Sequence, residues 1–306
     1  MERAENTARM LDVNYQTSLL PQSAAMAEQG WRSLLSISEL TDDYQARYGD
    51  VDAKRVQEFM VRDERNPSSI LNCLRGAREN ARAIRGTLTT EVWETTNRTW
   101  LEFKNLLDDD LLARDPSALC EWVKFRSHLS RGVTVGTMLQ DEAFNFLRIG
   151  SYLERADNTA RLLDVKFHAA ELDAPGLADA ADERNGAHDF YHWSAVLRSV
   201  SGFEVYRKVY SNVIQPEKVA ELLILRSDMP RSLAHCMNRL GSNLKRIAND
   251  QSADTLRQVG RLHAELEFAR IEEILSPGLH VFLDQFLDRV GKLGLGISRD
   301  FLMPAA

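Results

Sequence analysis

The chain has 306 residues, 44% hydrophobic and 27% charged, a balance that excludes a wholly disordered protein and supplies enough apolar surface for a core. Lys and Arg number 38 against 45 Asp and Glu, so a net charge of -7 argues against a broadly basic nucleic-acid binder, although a local basic stripe can still hold an anion. Three cysteines, Cys73, Cys120 and Cys236, with no CxxC pair, exclude a disulfide framework and a cysteine-based zinc site.

The first residues, Met1-Glu2-Arg3-Ala4-Glu5, are charged where a secretory leader is apolar. No apolar run approaches the length of a membrane span, and the expected location is the cytoplasm. Ala4, Ala8, Leu11 and Tyr15 recur at helical spacing and predict the first helix. Pro21 to Gly30 reads as a loop. Val56, Phe59 and Met60 mark another helix, and Ile70, Leu74, Ala77, Ala81 and Ile84 the next. Leu147, Tyr152, Ala156, Ala160 and Leu163 lie in one long helix from about Met138 to Leu172. Pro175 to His188, rich in Ala, Gly and Asp, reads as a loop.

Five of the eight prolines, Pro67, Pro116, Pro216, Pro230 and Pro277, stand where helices are expected to begin, a position at which the missing amide costs nothing. Asn66, Asp115 and Ser276 precede three of them as expected caps. No alternating strand bounded by turn signals is visible. The expected fold is all-α, a helical bundle of roughly ten to twelve helices joined by short loops.

The sequence repeats itself. Arg3 to Val13 recurs as Arg155 to Val165 with nine of eleven positions identical. Trp31, Leu35, Tyr44 and Tyr48 match Trp193, Leu197, Tyr206 and Tyr210 at a shift of 162. Val56, Glu58, Pro67, Ser69, Cys73, Asn80 and Ile84 match Val219, Glu221, Pro230, Ser232, Cys236, Asn243 and Ile247 at a shift of 163. Two tandem, pseudo-symmetric units are expected, residues 1–137 and 138–306, either as two domains or as one compact body. Seventeen residues from Met138 precede Arg155, whereas two precede Arg3, so the first unit is expected to lack part of its opening helix. An upstream natural start and a real truncation both account for that.

The motifs Glu2-Arg-Ala-Glu-Asn-Thr-Ala-Arg9, Asn66-Pro-Ser-Ser-Ile70, Ala77-Arg-Glu-Asn-Ala-Arg-Ala-Ile-Arg85, Glu91-Val-Trp93, Ser127-His128 and Leu153-Glu-Arg-Ala-Asp157 carry a resemblance. The chain resembles the bacterial alpha-E proteins over its whole length except the missing opening helix. That resemblance implies an all-helical protein without an established activity. It implies as companion a circularly permuted ATP-grasp ligase-like protein, and often a transglutaminase-like cysteine peptidase. Such company points to the making or processing of a peptide or amide bond.

Three groups of residues are candidates for chemistry. Glu5, Arg9 and Asp12 share one helix face, and Asp157, Arg161 and Asp164 repeat it, with Glu154 one turn earlier. Such a stripe is either a set of helix-internal ion pairs or, if two stripes face one another, a pocket for an amine or a carboxylate. Asn66, Ser68 and Ser69 open a helix that carries Arg75, Arg78, Arg82 and Arg85 as a basic stripe, suited to an anion or an acidic partner surface. The second copy has Asn238, Gly241, Lys245 and Ala248 there, so the stripe is not a requirement of the fold. His128, flanked by Ser127, Lys124 and Arg131, lacks a local group to orient it as a base and reads as a satisfied helix histidine.

Cys73 and Cys236 read as small buried side chains, the five tryptophans as packing residues, and Asn80 with Asn243 as a structural hydrogen bond. Asp189-Phe-Tyr-His192 is the nearest approach to a metal motif and is isolated, and no Gly-rich phosphate loop is present, so no cofactor is expected. The function expected is an accessory or binding protein of an ATP-grasp-type ligase system, acting through the arginine stripe and not itself catalytic. The alternative is an enzyme acting on an amide through the duplicated acid–arginine stripes. Neither nucleic acid nor membrane is expected as a partner.

Overall fold

A computed structural model of the chain describes residues 1–172, 183–210 and 213–302. The described residues are all-helical, with sixteen α-helices, more than the composition of long periodic segments predicts. The chain divides into two compact units, Met1–Phe144 and Asn145–Ala306.

The first unit contains α1 (Glu2–Ser18), α2 (Ala24–Ile37), α3 (Thr41–Tyr48), α4 (Ala53–Val61), α5 (Ile70–Ala83), α6 (Thr90–Asp108), α7 (Leu111–Arg114) and α8 (Pro116–Thr137). α1 packs on α8, α5 and α2, while α6 packs on both α5 and α8. Ala4 and Ala8 are buried on α1 and leave room for close approach of the neighbouring helices. Phe59, Ile70, Leu74, Phe103, Leu119 and Val123 fill the interior.

The boundary between the units falls in the first turn of α9 (Glu142–Leu172). α10 (Glu183–Ser199), α11 (Phe203–Val209), α12 (Pro216–Ile224), α13 (Leu233–Arg246), α14 (Ala253–Phe268), α15 (Ile271–Leu275) and α16 (Leu279–Ile297) follow. α14 packs on α13 and on α16, and α12 on α15, α13 and α10. Trp193, Leu197, Leu223, Leu240 and Phe286 form the interior. Gly278, before α16, has φ +103, a conformation that a side chain would strain.

Helix starts explain most departures from the sequence expectation. Residues 24–30 are helical because Ser23 caps α2, accepting from the Met26 amide at 3.2 Å, and Ala, Met, Glu and Gln sustain the helix that follows. Residues 183–188 are helical too, since Glu, Arg and Ala outweigh one glycine. The remainder of that expected loop, 175–182, lies outside the described residues. Pro116 and Pro216 occupy first helical positions, with Asp115 capping α8. Pro67, Pro230 and Pro277 instead lie in the turns just before α5, α13 and α16. The caps of α5 and α13 are Ser69 and Ser232, which accept from the amides of Asn72 and His235. Leu147 and Ile84, expected on apolar faces, are exposed at the ends of their stripes.

Two tyrosines, both fully buried, tie successive short helices together. The Tyr44 hydroxyl accepts from the amide of Asp52, the residue that caps α4. The Tyr206 hydroxyl accepts from the amide of Gln215, which precedes α12, at 2.9 Å and donates to the Val213 carbonyl at 3.1 Å. Replacing the ring's hydroxyl by hydrogen strands a backbone group. Tyr206→Phe should therefore lower stability by about 1–3 kcal/mol, while the half-exposed Tyr191→Phe should leave it unchanged. Urea denaturation of the three proteins measures the difference.

Candidate functional site

The charged face of α1 turns onto α8. Glu5 has no exposed surface. Its Oε1 accepts from Arg9 Nε at 2.9 Å and Arg9 Nη2 at 2.7 Å. Its Oε2 accepts from Ser127 Oγ at 2.7 Å and Arg131 Nη2 at 2.5 Å. A carboxylate offers about four acceptor positions, so these four donors occupy it fully. Arg131 also reaches Glu2, at 3.4 Å.

Two turns along, Asp12 Oδ1 accepts from Ser117 Oγ at 2.6 Å and Gln16 at 3.1 Å, and its Oδ2 meets Lys124 Nζ at 2.7 Å. Burial disfavours the Lys124 ammonium, but hydrogen bonds to Asp12 and Glu121 outweigh it and raise its pKa. Arg9 Nη2 donates to His128 Nε2 at 3.0 Å, which requires a lone pair on that nitrogen. Burial, with the positive charges of Arg9 and Arg131, holds the His128 pKa below its ordinary value against the pull of Glu5. Glu5, Arg9 and His128 are thus brought together, while Asp12 makes its own contacts with α8 through Ser117 and Lys124. With the acceptors on Glu5 and His128 occupied, the arrangement joins two helices and offers no open base. The orienting group that His128 lacks locally is supplied from α1, more than a hundred residues away in sequence.

The matching stripe on α9 is built differently. Arg161 forks onto Asp157 at 2.8 and 3.1 Å, and His280 Nδ1 donates to Asp164 Oδ1 at 2.6 Å. Asp157 is about a third exposed, and Glu154 is half-buried.

The second candidate separates into two parts. Asn66 does not cap α5. It is buried, donates to the Phe59 carbonyl at 3.0 Å and accepts from the Ser68 amide at 2.9 Å, so it closes the turn ahead of the helix. Ser69 is buried as the true cap. Asn66 and Ser69 therefore serve the turn, and the exposed chemistry belongs to the arginines. Arg75 approaches Glu64 at 3.5 Å, Arg78 Nε donates to Asn97 at 2.8 Å, and Arg78 and Arg82 share Glu79. Arg85 lies beyond α5 and packs over Trp93 at 5.4 Å. Glu64, Arg65, Pro67, Asn72, Arg75, Gly76 and Glu79 line an open groove of about 500 Å³. Asp63 fixes Arg65 beside it. Burial would raise its carboxyl, but hydrogen bonds from Arg65 and Tyr48 outweigh that and hold it at about 2.

Over residues 1–302 the chain matches a family described as a predicted alpha-helical domain with a conserved ER motif. The chain belongs to the Alpha-E family. Two of this Alpha-E chain's Glu-Arg pairs, Glu2-Arg3 and Glu154-Arg155, open the two repeated segments. No curated protein and no solved structure matches it.

Other candidates have structural roles. His192 places Nε2 3.0 Å from the Lys166 carbonyl. Cys120 and Cys236 are buried, Cys73 is half-buried with its thiol toward the Ser68 carbonyl, and burial pushes the Cys120 thiol up. Trp31 and Trp193 are buried, and Trp122 stacks on Phe103. Asn243 donates to the Arg239 carbonyl at 2.6 Å, whereas Asn80 is exposed. Among the described residues no group of three or more His, Cys, Asp or Glu is placed to hold a metal ion, and no helix is long and apolar enough to cross a membrane.

Sequence reasoning missed Ser117 and Ser127 as donors to α1 carboxylates. Serines on a helix carry no periodic signal, and only the packing of α8 on α1 assigns their partners. The two acid–arginine pairs should respond unequally to neutralisation. Glu5→Gln leaves Arg9 and Arg131 without their shared charge and should cost about 3–5 kcal/mol. Asp157→Asn, at a more exposed pair, should cost less than about 1 kcal/mol. Equal losses in a denaturation series would contradict the structural role given to Glu5.

Proposed function

We propose that this Alpha-E chain is an accessory protein of a system that forms or processes peptide or amide bonds, and that it docks through the arginine-bearing face of α5. On the family resemblance, the partner is a circularly permuted ATP-grasp ligase-like protein, with a transglutaminase-like peptidase as a further companion. ATP-dependent ligation places the pair in the cytoplasm. The same reading takes the chain as two diverged copies of one helical unit. The sequence repeat supports this, as do the matched caps Ser69 and Ser232 and the matched tyrosines Tyr44 and Tyr206.

One observation carries the docking reading. Arg78 and Arg82 share the single carboxylate of Glu79, so α5 presents more guanidinium than its own acids neutralise. Arg75 and Arg82 are well exposed, and the groove beside them bears Arg65. Exposed guanidinium forks recognise carboxylates on a facing surface bidentately and accelerate encounter with an acidic partner. The buried stripe on α1, by contrast, has its carboxylates occupied by α8.

Arg78 also holds Asn97 and is kept in the test. Arg75→Glu with Arg82→Glu should weaken binding to the ligase-like protein by at least about tenfold, as expected for two reversed charges at a docking face. Helical circular dichroism and melting temperature should stay at the wild-type values. Unchanged affinity, measured by interferometry on the immobilised ligase-like protein, would remove α5 from the interface.

A further inference from the structure

The second unit contains a cluster of positive charge that neither the stripes nor the groove accounts for. α9 and the turn before α13 are joined by two side chains. Thr159 Oγ1 donates to the Arg231 carbonyl at 3.0 Å, and Arg155 Nη1 to the Pro230 carbonyl at 3.2 Å. Near this junction Tyr152 is buried. The Arg148 guanidinium lies 4.8 Å from the centre of its ring and donates to its hydroxyl, and Arg155 lies 5.6 Å from the same ring. The His235 ring, from the first turn of α13, is 6.1 Å from that of Tyr152. Arg239 follows one turn later on α13, on the same face as His235 and exposed to solvent.

Arg148 and Arg239 make no ion pair with an acid among the described residues, and Arg148 donates to Tyr152 instead. Asp228, the acid near His235, is engaged by both arms of the Arg226 fork at 2.8 and 2.5 Å. Burial, then the charges of Arg239, Arg155 and Arg148, holds the His235 pKa below its ordinary value, against the hydrogen bond to the Ser227 carbonyl. That bond, 2.8 Å from Nδ1, fixes the ring proton on Nδ1 because a carbonyl only accepts, and leaves Nε2 with its lone pair. At the positions that the sequence repeat pairs with His235 and Arg239, the first half carries Asn72 and Gly76. The first half therefore folds without a charge at these two positions.

We propose that Arg148, His235 and Arg239 form a binding site for a phosphate-type oxyanion, with Arg148 held in place by Tyr152. Two guanidiniums lacking carboxylates match a dianion in charge and offer paired N–H groups to its oxygens. His235 completes the site by taking a proton on Nε2 as the anion arrives, which turns that nitrogen into a third donor. The anion is a free phosphate or the phosphomonoester of a small molecule.

The test is an NMR titration of the full chain, following the His235 ring resonances assigned through His235→Gln. Inorganic phosphate and phenyl phosphate are added in separate series, each against sodium chloride at matched ionic strength. Saturable shifts are expected with at least one of the two, and the tighter of them identifies the source. Arg239→Gln, at an exposed position, should weaken binding at least about tenfold, and Arg148→Gln should do the same. Arg75→Gln with Arg82→Gln on α5 should leave it unchanged, so the outcome stands apart from the docking role of α5. Shifts that follow ionic strength alone, or affinity that survives Arg239→Gln, would overturn the site.

Discussion

Glu5 carries a negative charge into a place with no exposed surface, and a carboxylate there costs several kcal/mol unless donors replace its water. Arg9, Ser127 and Arg131 supply those donors, two of them from α8. The requirement fixes more than a pair of side chains. Four donors reach two oxygens only if α1 lies on α8 in one register, with Ala4 and Ala8 permitting the approach. Asp12 repeats the constraint two turns on, through Ser117 and Lys124. A slip of one residue would leave buried charge unpaired on both helices. α6 packs on α8, and α5 packs on both α1 and α6, so the register passes to the helix that bears the exposed arginines.

The charged residues of the first unit thus separate by what they meet. Those on α1 find donors within the unit and hold it together. Those on α5 and its preceding turn face a groove in which two glutamates accompany the arginines, and Glu79 answers for two guanidiniums. A side chain whose hydrogen-bonding capacity is already filled by the fold has little left for a ligand, while an exposed guanidinium with a shared counter-charge has donors to spare. In the second unit, Arg148, held by the Tyr152 hydroxyl, and the exposed Arg239 likewise have no carboxylate partner among the described residues.

Long helices were legible because apolar residues at three- and four-residue spacing are a direct consequence of one buried face: Ala4, Ala8 and Leu11 are all buried. Asp115 and Pro116 were legible as a helix start because cap and proline act locally. Asn66 was not, since an asparagine before proline can close a turn or cap a helix, and the choice depends on the Phe59 carbonyl that it reaches. α3, α7, α11 and α15, of four to eight residues, are too short to show a period, so the sequence displays fewer helices than the fold contains. The inward position of Glu5 could be suspected from the repeat, but its partners come from a helix more than a hundred residues away. The cluster around Tyr152 was invisible for the same reason, since α9 and α13 meet only in the folded chain.

The division between charge engaged by the fold and charge left for a partner can be tested by hydrogen–deuterium exchange of the chain, alone and with the ligase-like protein. Protection gained on complex formation should fall on α5 and the turn at residues 62–69, with exchange in α1 and α8 unaltered. Protection concentrated in α1 and α8, with α5 exchanging as in the free chain, would contradict the account.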